Sequence, residues 1–268
     1  MSLQTTLRRC GVGVAAALLP LIAPQSAFAN VGGNAYVNWN IANAPDSGLT
    51  NITFPITVNS ATNHNDGLYF AQQFWFTNLQ QGGYIGLQPR PDKDGKERLH
   101  GTFSVGVPGS SSTDTTCHGG FDTGKDGVSC AADFDAVYGH PYNLTVKQDG
   151  DTWTGTATDT STGVSTKIGT VKLPAGSGNL QSGINKDKPT WGPGKGFAEP
   201  YLGAPTCAEL PLADVVFGAP TTTDAGGLTG NVTIPDPAET DCVGQSGYQS
   251  QAVGSGQHIV RGFVKNVG

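Results

Sequence analysis

Past its first thirty residues, no stretch of this chain repeats apolar side chains at the i, i+3, i+4, i+7 spacing of an amphipathic helix. A chain without such a stripe cannot cover a parallel sheet with helices, so its core has to be closed by sheet packed on sheet. What the sequence offers instead is a succession of short β-branched and aromatic runs bounded by Gly, Asn, Asp and Pro. Such runs fall at 35–40, 52–58, 68–77, 84–88, 102–107, 142–148, 152–158, 165–173, 215–218, 228–234 and 258–264. The 39 glycines and 17 prolines supply the punctuation between them.

The middle of the chain shows the local topology most plainly. Tyr142, Leu144 and Val146 alternate with Asn143, Thr145 and Lys147, the period of a strand with one buried face. Asp149-Gly150 supplies a tight turn, the chain returns through Trp153, and Thr160 to Gly163 turns it again into 165–173. Repetition of this antiparallel meander predicts an all-β fold, a two-sheet antiparallel sandwich or jelly roll, as a single domain over residues 30–268.

The first 29 residues stand apart. Arg8 and Arg9 precede an apolar run from Gly11 to Ala23, and Ala27-Phe28-Ala29 has the small-x-small form of a cleavage site. The run is shorter than the roughly 20 residues that span a bilayer, so residues 1–29 are expected to be a signal peptide, with Asn30 the first residue of a secreted, extracellular chain. The formal charge of the whole sequence, 15 basic against 21 acidic residues, becomes 13 against 21 once Arg8 and Arg9 leave. That acidic balance argues against a nucleic-acid or anionic-membrane partner.

Export also bears on the cysteines. With Cys10 removed, Cys117, Cys130, Cys207 and Cys242 remain, an even set in an oxidising compartment. No C-x-x-C pair is present to suggest zinc. Four cysteines allow three pairings; the local one, Cys117–Cys130 with Cys207–Cys242, closes each loop within one segment and is the expected one.

Gln72-Gln73-Phe74-Trp75-Phe76, followed by Gly82 to Gln88 (GGYIGLQ) and Gly101 to Val105 (GTFSV), resembles the core signature of a secreted bacterial and plant domain of unknown function, family 3472. The resemblance extends over 35–263 and implies a lectin-like β-sandwich. It implies no activity and no functional residue, because none is assigned to the family. Read as residues alone, Gly86 within that signature would let a ring or another backbone approach closely, and its apolar neighbours are expected to serve packing.

Chemistry is sparsely written. There is no G-x-S-x-G and no H-E-x-x-H, and the histidines at 64, 100, 118, 140 and 258 are scattered. The four glutamates (Glu97, Glu199, Glu209, Glu239) show none of the close alternation by which one strand presents two catalytic acids. Asp92 to Glu97 carries half the ligands of a calcium loop and reads as a hairpin tip. Asp122, Asp126, Asp133 and Asp135 cluster around Cys117 and Cys130, and such hard oxygen donors on a pinned loop would suit a structural Ca²⁺. The Gly-rich segments 109–127 and 176–196 are expected to be surface loops. Within the second, Trp191 is the candidate platform for a sugar ring, with Tyr138 a further candidate. Two expectations follow: a non-catalytic module that binds polysaccharide or cell-surface glycan, or a glycan-active hydrolase or lyase on the same fold.

Overall fold

A computed structural model describes residues 31–121, 124–183 and 192–265. Their strands, in chain order, are β1 (Ala35–Asn40), β2 (Asn51–Val58), β3 (Tyr69–Trp75), β4 (Gly82–Lys93), β5 (Lys96–Val105), β6 (Cys117–Gly119), β7 (Val128–Ala136), β8 (Pro141–Asp149), β9 (Thr152–Asp159), β10 (Ser165–Lys172), β11 (Lys195–Glu199), β12 (Ala213–Phe217), β13 (Thr221–Thr222), β14 (Leu228–Thr229), β15 (Asn231–Thr233), β16 (Gln249–Val253) and β17 (Gly256–Arg261). Single 3₁₀ turns at Cys207–Glu209 and Asp224–Gly226 are the helical elements among the described residues.

The strands form two antiparallel sheets packed as a sandwich, not a closed barrel. One is eight-stranded, in the order β15-β1-β11-β3-β4-β5-β7-β6; the other is nine-stranded, built on β10-β9-β8-β2-β12-β17-β16 with β13 and β14 appended beside β2. The expected meander is β8-β9-β10, and its first turn places Gly150 at φ +62°. The tip between β4 and β5 is the hairpin expected at Asp92–Glu97, turning at Asp94 and Gly95 with both residues at positive φ.

The core lies between the sheets and is held by rings from both. Trp39 of β1 meets Phe54 of β2 edge-on at 4.9 Å, and Phe76, just past β3, meets Trp153 of β9 at 5.3 Å. Phe103 of β5 approaches β9 so closely that a Cβ on Gly155 would stand 2.5 Å from its ring. Glycine is therefore what lets the sheets close there. Both expected disulfides are present: Cys117–Cys130 pins the short β6 to β7, and Cys207–Cys242 ties a 3₁₀ turn to the segment after β15.

Two expectations need correction. Segment 109–127 is not loop throughout, because it contains β6. Segment 176–196 is not surface loop throughout: Leu180 is 0 % exposed and bridges both Leu49 and Phe76, and residues 192–196 are buried and lead into β11. No described helix is long and apolar enough to cross a membrane.

Four of the five histidines bond an aspartate: His64–Asp92, His100–Asp133, His140–Asp159 and His258–Asp214. Burial pushes the Asp159 carboxyl up, but hydrogen bonds from His140 and the Ser161 amide outweigh it and hold the group below the ordinary value of 3.8. At Asp114 the hydrogen bond from Lys167 is the largest cause, again downward. Depressed carboxylates contribute stability that is complete above the unfolded-state value and lost as pH falls through the folded one. The melting temperature is therefore expected to drop steeply as pH falls from about 5 to about 2. In Asp159→Asn that slope should be shallower; an unchanged slope would contradict the assignment.

Candidate functional site on the outer face of the eight-stranded sheet

Successive side chains of a strand point to opposite faces, and β3 uses both with bulk. Phe70 and Phe74 enter the core, whereas Tyr69, Ala71 and Gln73 point outward. The same alternation sends Ile85, Leu87, Leu99 and Phe103 inward from β4 and β5 and leaves Tyr84, Gln88, His100, Thr102 and Ser104 outside. An open groove of about 590 Å³ runs over this outer face, lined by residues of β1, β11, β3, β4, β5, β7 and β6.

Strand register sorts the groove into rows. Tyr36, Phe197, Ala71, Gly86, Thr102 and Ala131 lie side by side across six strands, a line in which the last four are small. On one side stand Gln73, Tyr84, Ser104, Ser129 and His118. On the other stand Tyr69 beside Glu199, and Gln88 beside His100 and Asp133.

Tyr69 organises the floor. Its ring lies over Gly86, so that its hydroxyl and that of Thr102, on β5, are 2.6 Å apart. A Cβ on Gly86 would stand 2.6 Å from that ring and 2.3 Å from the Phe70 carbonyl oxygen, which is the physical reason for glycine in GGYIGLQ. Phe197 and Tyr84 flank Tyr69 edge-on, each at 5.5 Å, and Tyr84 continues to Phe121 at 5.2 Å. Four rings thus make one strip across the sheet.

Polar groups border the strip. His100 Nδ1 is 2.6 Å from Asp133 Oδ1; with Nδ1–H donating to the carboxylate, the neutral ring presents the lone pair of Nε2. Gln88 Oε1 accepts from Arg90 Nη2 at 2.7 Å, and Gln73 Oε1 accepts from the Gly192 amide at 3.1 Å. Lys195, on the same face of β11, is 6 % exposed and donates to Asn38 Oδ1 at 2.6 Å. Burial lowers its pKa.

The residues singled out from the sequence fall in and around this surface unevenly. Trp191 and Asp122 lie outside the described residues. Tyr138 belongs to the core, 6 % exposed, with its ring 4.2 Å from that of His64 and its hydroxyl donating to the Arg98 carbonyl. Burial, reinforced by the charges of Asp92 and Glu97, pushes its phenol pKa up. Asp133 and Asp135 neighbour each other on the outer face of β7, but the first bonds His100 and the second bonds Lys96 and Arg98. Those two cations hold the Asp135 carboxyl below its usual range. Asp126 is exposed on the loop before β7. Among the described residues no group of three His, Cys, Asp or Glu is placed to hold a metal ion.

Tyr84 and Gln88 lie in the quoted GGYIGLQ stretch but Tyr69 does not, and none of the three stands out as a site residue from sequence, because aromatic strand residues ordinarily serve packing. The available signal was that β3 carries bulky side chains on both of its faces. Compared with known protein families and with curated proteins, the chain matches none.

Gly86→Val should destabilise the protein by about 1–3 kcal/mol, the usual cost of overpacking, and free the Tyr69 hydroxyl from Thr102. Denaturant unfolding measures the first; a variant as stable as the parent would contradict the packing described.

Proposed function

We propose that this is a secreted, glycan-binding β-sandwich protein and that the outer-face groove is its binding surface. The observation that carries the reading is an open groove lined by Phe197, Tyr69 and Tyr84, with Phe121 packed beside Tyr84, and by Gln88, His100, Thr102 and Ser104. Sugar rings present apolar C–H faces that suit aromatic side chains, and hydroxyl edges that need hydrogen-bonding groups fixed beside them. Sites of this mixed kind, apolar with a few placed polar groups, are the usual form of small-ligand recognition. Relationship to family 3472 is part of the proposal: Tyr84 and Gln88, within the stretch that carries the resemblance, both line the groove.

Placement of the acids favours binding over hydrolysis by a carboxylate pair. Glu199 and Asp133 stand on β11 and β7, four strand spacings apart, or about 19 Å along the sheet. Glycosidase pairs stand about 5–9.5 Å apart; Asp135, which neighbours Asp133 on the same face, is taken up by Lys96 and Arg98. A second reading, a glycan-active enzyme, is favoured by one observation, the His100–Asp133 pair, which has the form of an oriented general base.

Titration calorimetry against soluble polysaccharides tests both readings. Tyr84→Ala should weaken binding at least tenfold while the melting transition stays cooperative. Equal binding by parent and variant would contradict the assignment of the groove. Release of reducing ends or unsaturated products by the parent, abolished in His100→Ala with binding retained, would establish the second reading; no release by the parent would remove it.

Secretion has its own check. Intact mass of the exported protein should fit a chain starting at Asn30 with Cys117, Cys130, Cys207 and Cys242 all oxidised, and a mature form retaining Cys10 would contradict it.

A further inference from the structure

The charge and length of the groove narrow the class of glycan. Among the described lining residues there is no lysine and no arginine; the ionisable groups in the walls are Glu199, the tyrosines and two histidines, one of them bonded to Asp133. Cations do stand beyond both long sides of the groove, and Arg90, Arg98, Lys96 and Lys195 are each bonded. Arg90 is bonded to Gln88 and lies 3.4 Å from Asp66, while Arg98 and Lys96 share Asp135. Lys195 is buried and held by Asn38. A polyuronate or sulfated chain brings a negative charge on most of its residues, and recognition of such groups relies on arginine or lysine to pair them. Here the carboxylate in the lining is Glu199, and Asp133, bonded to His100, stands just outside it.

Dimension gives the second constraint. The lining runs from Tyr36 on β1 to His118 on β6, across seven adjacent strands, and six spacings make about 29 Å. A shallow trough of that length suits the middle of an extended chain better than a terminal residue, which is usually held in a closed pocket.

We infer that the groove binds an internal stretch of an uncharged, extended polysaccharide, laid across the strands, and rejects polyanionic glycans. The inference rests on the glycan-binding reading above and sharpens it.

Affinity electrophoresis and calorimetry at low salt, with mixed-linkage glucan, xylan and mannan set against polygalacturonate and alginate, test it. At least one neutral polymer should bind tenfold or more tighter than either polyanion, and affinity should rise with oligosaccharide length. Polygalacturonate or alginate binding as tightly as the neutral polymers, or a monosaccharide binding as tightly as its polymer, would overturn the inference while leaving glycan binding intact. Absence of binding to all five polymers would overturn the glycan reading, and the inference with it. Ala131→Lys, which places a cation beside Thr102, and His118→Lys, at the exposed edge, should each raise affinity for polygalacturonate at least threefold, a gain abolished by 0.5 M salt through screening. No gain in either folded variant would show that groove charge does not set the selectivity.

Discussion

Every strand in the centre of the eight-stranded sheet has to satisfy two surfaces at once, and the two-residue period of the strand is what keeps them separate. Inward, Phe70, Phe74, Ile85, Leu87, Leu99 and Phe103 build the core against the second sheet. Outward, the intervening residues pack side by side as a second, smaller apolar cluster around Tyr69, Ala71 and Phe197, over which the open groove runs. A shift of one residue in β3, β4 or β5 would exchange these sets. It would place Tyr84 and Gln88 in the core and Ile85 and Leu87 in water.

Two glycine contacts fix how tightly each surface is drawn. At Gly155 the sheets close on the Phe103 ring, and at Gly86 the Tyr69 ring lies flat enough to reach Thr102 one strand further on. The first contact sets the thickness of the core and the second sets the depth of the groove. Tyr69 therefore belongs to both: its backbone is part of the ladder between β11 and β4, and its ring is the floor on which Phe197 and Tyr84 lean.

The all-β class, the central meander and both disulfides could be read from the residues because each rests on local information. β1 is found where the run Ala35–Asn40 places it, and β8 and β9 follow from alternation around a Gly turn. β6, β11 and the latter part of β7 carry weak local signals for a physical reason. Cys117–Gly119 is too short to show a period, the outward Asp133 and Asp135 dilute the apolar run of β7, and Lys195–Glu199 follows a stretch of Gly and Pro that signals loop. The groove was hidden for a different reason. Its residues are separated by up to 167 positions in the chain (Asn34 to Tyr201) and are brought together by strand register, which pairs His100 with Asp133 and Gly86 with Ala71. Trp191 stands in a polar stretch of the sequence, whereas the described aromatic strip stands mostly on strands, with Tyr69, Tyr84 and Phe197 on β3, β4 and β11.

The central claim is that the outer face of the eight-stranded sheet is where ligand binds. Two-dimensional NMR of the isotopically labelled protein, titrated with a neutral oligosaccharide that binds it, tests this most directly. Chemical-shift changes should concentrate on Tyr69, Tyr84, Gln88, His100, Thr102 and Ser104, with the outward residues of β8, β9 and β10 unmoved. Changes confined to the nine-stranded sheet would contradict the account.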